Sequence, residues 1–226
     1  MQIGILQCGH FPTAEGFPDQ TYGDLYANLL AGRGLTFRTW SVVDMQFPDT
    51  FHDADGWLIT GSKHGAYEDI PFIAPLEDFL RRAYAADVPL VGICFGHQVL
   101  AQALGGTVQK FAGGWSLGRQ TYTLDGQDVA LNAWHQDQVI TPPEEATTVG
   151  SSDFCEHAAL AYKGRAFSVQ AHPEFSAQEV ALLLQVRRAG LDPAMAADVQ
   201  ANLDKPLSNA VLADRIAAFF KEPAHV

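Results

Sequence analysis

The stretch Val88-Pro89-Leu90-Val91-Gly92-Ile93-Cys94-Phe95-Gly96-His97-Gln98 leaves few choices for what folds around it. A short apolar run of this kind fits a buried strand. It enters Gly-x-Cys-x-Gly and passes into the helix-like pattern of residues 99–106. Strand, tight turn and helix start follow one another, with one cysteine at the tip. Glycine on both sides permits strained backbone and close approach, as a nucleophile elbow requires. A thiol there faces the unpaired N–H groups and positive dipole end of a helix, which favour thiolate. Cys94 is therefore the first candidate nucleophile; a buried structural cysteine is the competing reading.

The surroundings suit such a turn. Residues 2–8 read as a first buried strand, 9–20 as a Gly- and Pro-bearing loop, and 22–31 as a helix with Leu25, Tyr26, Leu29 and Leu30 on one face. Strands follow at 35–43 and 55–60, then a polar loop at 61–69. A helix at 72–86, with Ile73, Leu76, Phe79, Leu80 and Ala83 aligned, feeds the strand at 88–94. This alternation predicts an α/β fold: a mostly parallel central sheet flanked by helices, flavodoxin-like. Sites on such sheets lie beyond the C-terminal strand ends, where Cys94 and the Gly61 loop both fall.

From 107 to 169 short strand-like pieces follow one another, at 120–124, 129–134, 146–151, 158–162 and 165–170, separated by turns. They predict a small antiparallel addition that returns to the main sheet. Helices are expected at 177–189 and 209–220, with an extra one over 192–204. No repeat or linker interrupts the pattern, so residues 1–226 read as one domain.

Composition bounds the function. With 14 basic and 26 acidic residues the net charge is −12, and no Lys/Arg cluster stands out. Nucleic acid is thus an unsuitable partner. No apolar run approaches the ~20 residues of a membrane span, and no targeting segment opens the chain. Three widely spaced cysteines suit a reducing, cytoplasmic setting better than a disulfide framework. Neither Cys8-Gly9-His10 nor His52-Asp53-Ala54-Asp55 has a second ligand cluster, so no metal and no cofactor is expected.

A thiolate needs a base and an orienting acid. Among eight histidines, one sits in a matching setting, in Ser168-Val169-Gln170-Ala171-His172-Pro173-Glu174-Phe175. A strand ends there before a helix. On extended backbone His172 and Glu174, two apart, project to one side. Pro173 keeps His172 out of helical geometry. Cys94, His172 and Glu174 form a candidate triad in chain order nucleophile, base, acid. That order argues against an α/β-hydrolase, in which the acid precedes the histidine. His97 and His135 read as pocket-wall or hydrogen-bonded residues. His10, His52, His64, His157 and His225 read as surface or loop residues, Cys8 as core, and Trp40, Trp57 and Trp115 as packing.

Together these residues resemble the triad-type, class I glutamine amidotransferase family. The motifs are Gly92-Ile93-Cys94-Phe95-Gly96-His97-Gln98 and Gln170-Ala171-His172-Pro173-Glu174-Phe175. Ala133-Trp134-His135-Gln136-Asp137-Gln138-Val139 resembles the family's His-x-Asp segment, and Leu58-Ile59-Thr60-Gly61-Ser62 sits where its glycine-rich oxyanion loop lies. The sub-type is similar to stand-alone proteins like the glutaminase half of GMP synthetase, whose relatives include γ-glutamyl peptidases. Two departures stand out: Gly61-Ser62-Lys63 replaces Gly-Gly-Pro, and Ser116 follows Gly113-Gly114-Trp115 where many relatives have glutamate.

The resemblance implies an acyl transfer. Cys94 attacks a γ-carboxamide, expels ammonia or an amine, and water hydrolyses the γ-glutamyl thioester. Backbone N–H groups of Phe95, Gly61 and Ser62 are expected to hold the oxyanion, and Gln98, Trp134 and His135 to contact substrate. The substrate is then glutamine or another γ-glutamyl compound, glutathione-like ones included. No synthetase segment is expected after the last helix, so ammonia would need a separate synthetase subunit as acceptor, or the amide cleavage is itself the purpose. Lys63, His64 and Tyr67 lie in a loop open to a larger leaving group. A non-catalytic binding or regulatory subunit is the reading from another class.

Overall fold

The computed structural model describes residues 1–222, so His225 lies outside the described residues. The first half runs β1 (Gln2–Leu6), α1 (Tyr22–Leu29), β2 (Thr36–Trp40), β3 (Gly56–Ile59), α2 (Ile73–Ala85), β4 (Leu90–Ile93) and α3 (Phe95–Ala103). Then come β5 (Thr107–Lys110), β6 (Ser116–Leu124), β7 (Gln127–His135), β8 (Asp137–Thr141), β9 (Thr147–Ser151), β10 (Ala159–Tyr162) and β11 (Ala166–Val169). Helices α4 (Ala177–Arg187), α5 (Pro193–Asn202) and α6 (Asn209–Lys221) close the described residues.

A 9-stranded sheet has the order β2-β1-β3-β4-β11-β10-β9-β6-β7. Strands from β2 to β11 run parallel, and each later neighbour is antiparallel. The chain returns to the sheet as expected: β11 inserts beside β4, pairing Val169 with Ile93. The expected α/β fold with a small antiparallel addition is present: β5 and β8 form a separate two-stranded sheet, and β10, β9, β6 and β7 extend the main sheet in antiparallel sense.

Each face of the parallel half is apolar, and this layering buries its strands on both sides. Ile3, Ile5, Leu58, Val91, Ile93 and Phe167 pack with residues of α1, α4, α5 and α6. Leu6, Trp57, Ile59 and Leu90 pack with α2 and α3 on the other face. The helix over 73–85 buries the predicted stripe of Ile73, Leu76, Phe79, Leu80 and Ala83. Where a strand was expected to reach residue 43, β2 stops at Trp40 and a 3-10 turn, Val42–Asp44, follows.

Two strands went unpredicted. β5 and β8 pair as a separate antiparallel ribbon. β5 buries only Val108, and a single residue, Gln136, separates β7 from β8 with no glycine or proline to mark the break.

Candidate active site

Three neighbouring parallel strands, β3, β4 and β11, deliver Gly61, Cys94 and His172 to one end of the sheet. Cys94 sits between β4 and α3 with φ 54° and ψ −104°, a conformation that costs an L-residue on the order of 1–3 kcal/mol. Neighbouring backbone enforces it. Cys94 N–H donates to Val169 O at 2.9 Å, Gly96 N–H to Thr60 O at 3.1 Å, and Gln98 N–H to Cys94 O at 3.1 Å. A side chain at Gly92 would collide with the Gly96 carbonyl, and one at Gly96 with the Ile59 carbonyl. The two glycines of the motif are thus required by close approach.

His172 is held by one main-chain bond and by the side chains around its ring. Its N–H donates to Asn132 O at 2.8 Å, an isolated bridge to β7. The Phe175 ring stacks on the imidazole, centroids 4.1 Å apart and planes 4° from parallel. Nδ1 of His172 lies 2.6 Å from Glu174 Oε1, so Glu174 orients the ring. The same carboxylate oxygen accepts the Tyr26 hydroxyl at 2.7 Å. Burial pushes the His172 pKa down, but charges on Cys94 and Glu174 outweigh it and hold the ring at about 10. The imidazole therefore keeps its proton at neutral pH.

The Gly61 loop closes the third side. Gly61 N–H donates to the Tyr26 hydroxyl at 3.4 Å. The N–H groups of Phe95 and Ser62 have no acceptor among the described residues. They are the free donors, while Gly61 lies so near His172 that a Cβ there would stand 3.0 Å from Cε1.

Cys94 and His172 open onto a cleft of ≈ 460 Å³ that Gln98, Trp134 and His135 also line. Gln98 is buried, and its amide nitrogen donates to Asp137 O at 2.8 Å and Gln170 Oε1 at 3.1 Å. His135 Nδ1 donates to Asp137 O at 3.2 Å. Burial lowers the His135 pKa to about 4, so the ring stays neutral, and its Nε2 is buried without a partner among the described residues. Trp134 is half-buried.

The remaining expectations divide. His97 is fully buried against Ser168 Oγ at 2.8 Å, and burial lowers its pKa to about 3. His52 is exposed, His157 is half-buried against Thr148, and His10 and His64 are cleft-lining. Cys8 is core, its thiol pKa pushed up by burial. Trp40 and Trp57 pack together, whereas Trp115 is 41% exposed and borders the cleft. The packing expectation for Trp115 is thus corrected: it follows the 111–114 turn, closed by Gly114 N–H to Phe111 O at 3.2 Å, and its indole stays partly open to the cleft. Tyr26 and Asn132 are site residues that the sequence reading missed.

The family model for class I glutamine amidotransferases matches residues 26–183. The chain belongs to the class I glutamine amidotransferase family. It is 31% identical over 184 residues to γ-glutamyl peptidase 4 of Arabidopsis thaliana, covering 73% of this chain and 73% of that protein. It is also 31% identical to the glutamine-hydrolysing GMP synthase of Thermus thermophilus, over 68% of this chain but only 32% of that protein. A glutamine amidotransferase structure from Thermotoga maritima superposes with a TM-score of 0.77 at 18% identity, covering 100% of this chain and 98% of that one. The fold is accordingly that of class I glutamine amidotransferases.

Proposed function

We propose that the protein hydrolyses γ-glutamyl amides, with Cys94 as nucleophile, His172 as proton carrier and Glu174 as the acid that orients it. The supporting observation is one arrangement: a cysteine on a strained elbow, beside a protonated imidazole whose Nδ1 lies 2.6 Å from a buried carboxylate. Sulfur adds to the γ-carbonyl carbon, and the N–H groups of Phe95 and Ser62 receive the oxyanion. Each such donor contributes ~3 kcal/mol in comparable hydrolases. The α3 N-terminus adds its positive end. The C–N bond then breaks as His172 gives its proton to the departing nitrogen. Water, losing a proton to His172, cleaves the γ-glutamyl thioester to glutamate, expels the sulfur as thiolate and restores the thiolate–imidazolium pair.

His135 Nε2 and the Gln98 carboxamide oxygen are the acceptors offered to the glutamyl group, with Trp134 as its wall. The γ-glutamyl peptidase relatives favour an amine as leaving group. The match to a glutamine-hydrolysing synthase favours a second reading, in which ammonia passes to a separate synthetase subunit. In both readings residues 1–226 act as one domain, placed in the cytoplasm. The deciding experiment offers the purified protein glutamine, glutathione and other γ-glutamyl compounds while ammonia and amine release are followed. A γ-glutamyl electrophile is expected to label Cys94 stoichiometrically. No label and no release from any compound would leave only a binding subunit.

A further inference from the structure

Resting on that hydrolase reading, we infer that the leaving group is an aromatic α-amino acid, held by a subsite built from Trp115, Tyr67 and Lys110. Ammonia needs no surface to receive it, yet the cleft is furnished for something larger. Only two Phe, Tyr or Trp side chains among the described residues are exposed, Tyr67 at 46% and Trp115 at 41%. Singly scattered surface aromatics carry no message, but both of these line the cleft that holds Cys94. Half-buried Trp134 lines it too, so three rings from three segments surround one opening.

Charge points the same way. Lys63, Lys110 and Arg187 also line the cleft, and none forms an ion pair or side-chain hydrogen bond among the described residues. The carboxylates facing it are Glu68, paired with His64 at 3.5 Å, and Asp137, which accepts from Tyr67. A protein of net charge −12 thus keeps three cations at this mouth, of which Lys110 stands across the β5–β8 pairing from Asp137 without a direct ion pair among the described residues. One carboxylate on the glutamyl group accounts for one of them. Lys110 and Trp115 stand at the two ends of the 110–115 connection between β5 and β6, so cation and indole reach the cleft from one loop. A ring to stack on Trp115 and a carboxylate for Lys110 describe an aromatic amino acid in γ-glutamyl linkage. Its hydrolysis breaks the amide C–N bond, the amine takes the proton from His172, and water supplies the hydroxyl of glutamate.

The test is a set of four compounds: γ-glutamyl-phenylalanine, γ-glutamyl-phenethylamine, γ-glutamyl-alanine and glutamine. kcat/KM is measured with the intact protein, and binding by calorimetry with Cys94→Ala. γ-Glutamyl-phenylalanine is expected to exceed γ-glutamyl-alanine about tenfold, and γ-glutamyl-phenethylamine about fivefold. Trp115→Ala should bring the phenylalanine-to-alanine ratio close to one, Trp115→Phe should restore most of it, and Lys110→Gln should erase the phenylalanine-to-phenethylamine ratio. Turnover of all four within about twofold overturns the subsite and leaves the hydrolase standing. Absence of turnover with preferential binding of γ-glutamyl-phenylalanine overturns the hydrolase and leaves the subsite. Absence of both overturns both.

Discussion

Cys94 and His172 are positioned by opposite means. The cysteine is set by backbone: a left-handed φ, two glycines that admit neighbouring carbonyls, and main-chain bonds to Val169 and Thr60. The histidine's ring is set mainly by side chains: Glu174 and Phe175 beside it in the chain, and Tyr26, 148 positions from Glu174, behind them. A backbone device is rigid and intolerant of any added atom. A side-chain device can be weakened by degrees, and each atom removed should leave a graded loss.

The largest effect expected is from Cys94→Ala, which should lower hydrolysis about 10⁴-fold or more without shifting the unfolding midpoint. Full activity in that variant would sink the mechanism. Next is Glu174→Gln, expected to cost about 10³-fold in kcat, within the span known for triad acids. It should also move the alkaline limb of the pH profile. The His172 proton is needed by the leaving amine, so activity falls as pH rises through the histidine's pKa, about 10 in the intact site. Removing the Glu174 charge removes one of the causes that raise it, and the limb should shift to lower pH; an unmoved limb would detach Glu174 from His172.

Gly96→Ala separates the two devices. It touches no reacting atom, yet its methyl meets the Ile59 carbonyl, and urea unfolding should show a loss of about 3 kcal/mol. The smallest effect belongs to Tyr26→Phe. Losing the hydroxyl between Glu174 and Gly61 should cost about 1 kcal/mol of barrier, near fivefold in kcat, with an unchanged unfolding midpoint. A loss as large as that of Glu174→Gln would make the tyrosine a full member of the triad's machinery.

The same contrast explains what could be read in advance. The elbow and the His172 turn are contiguous motifs, and the buried parallel strands announce themselves as apolar runs. Tyr26 lies at core spacing beside Leu25 and Leu29, so the pattern marks its ring and says nothing of its hydroxyl. Asn132 serves through its carbonyl and a bond to Phe175 O, which any fold must exist to provide. Trp115 reads as packing because tryptophan usually is, and only three-dimensional contacts reveal an indole left 41% exposed. β5 and β8 escape because their pairing is non-local and their faces mostly polar.

The insertion of β11 between β4 and β10 has a consequence for how the site comes into being. A strand from late in the chain occupies the middle of the sheet, flanked on one side by the strand that bears the cysteine. Until residues beyond 169 have emerged from the ribosome, β4 has an open edge and Cys94 lacks the Val169 carbonyl that holds its backbone. The elbow cannot be tensioned early, and a truncated or half-made chain carries a cysteine whose backbone is not yet fixed. The geometry of the elbow is conferred by completion of the sheet.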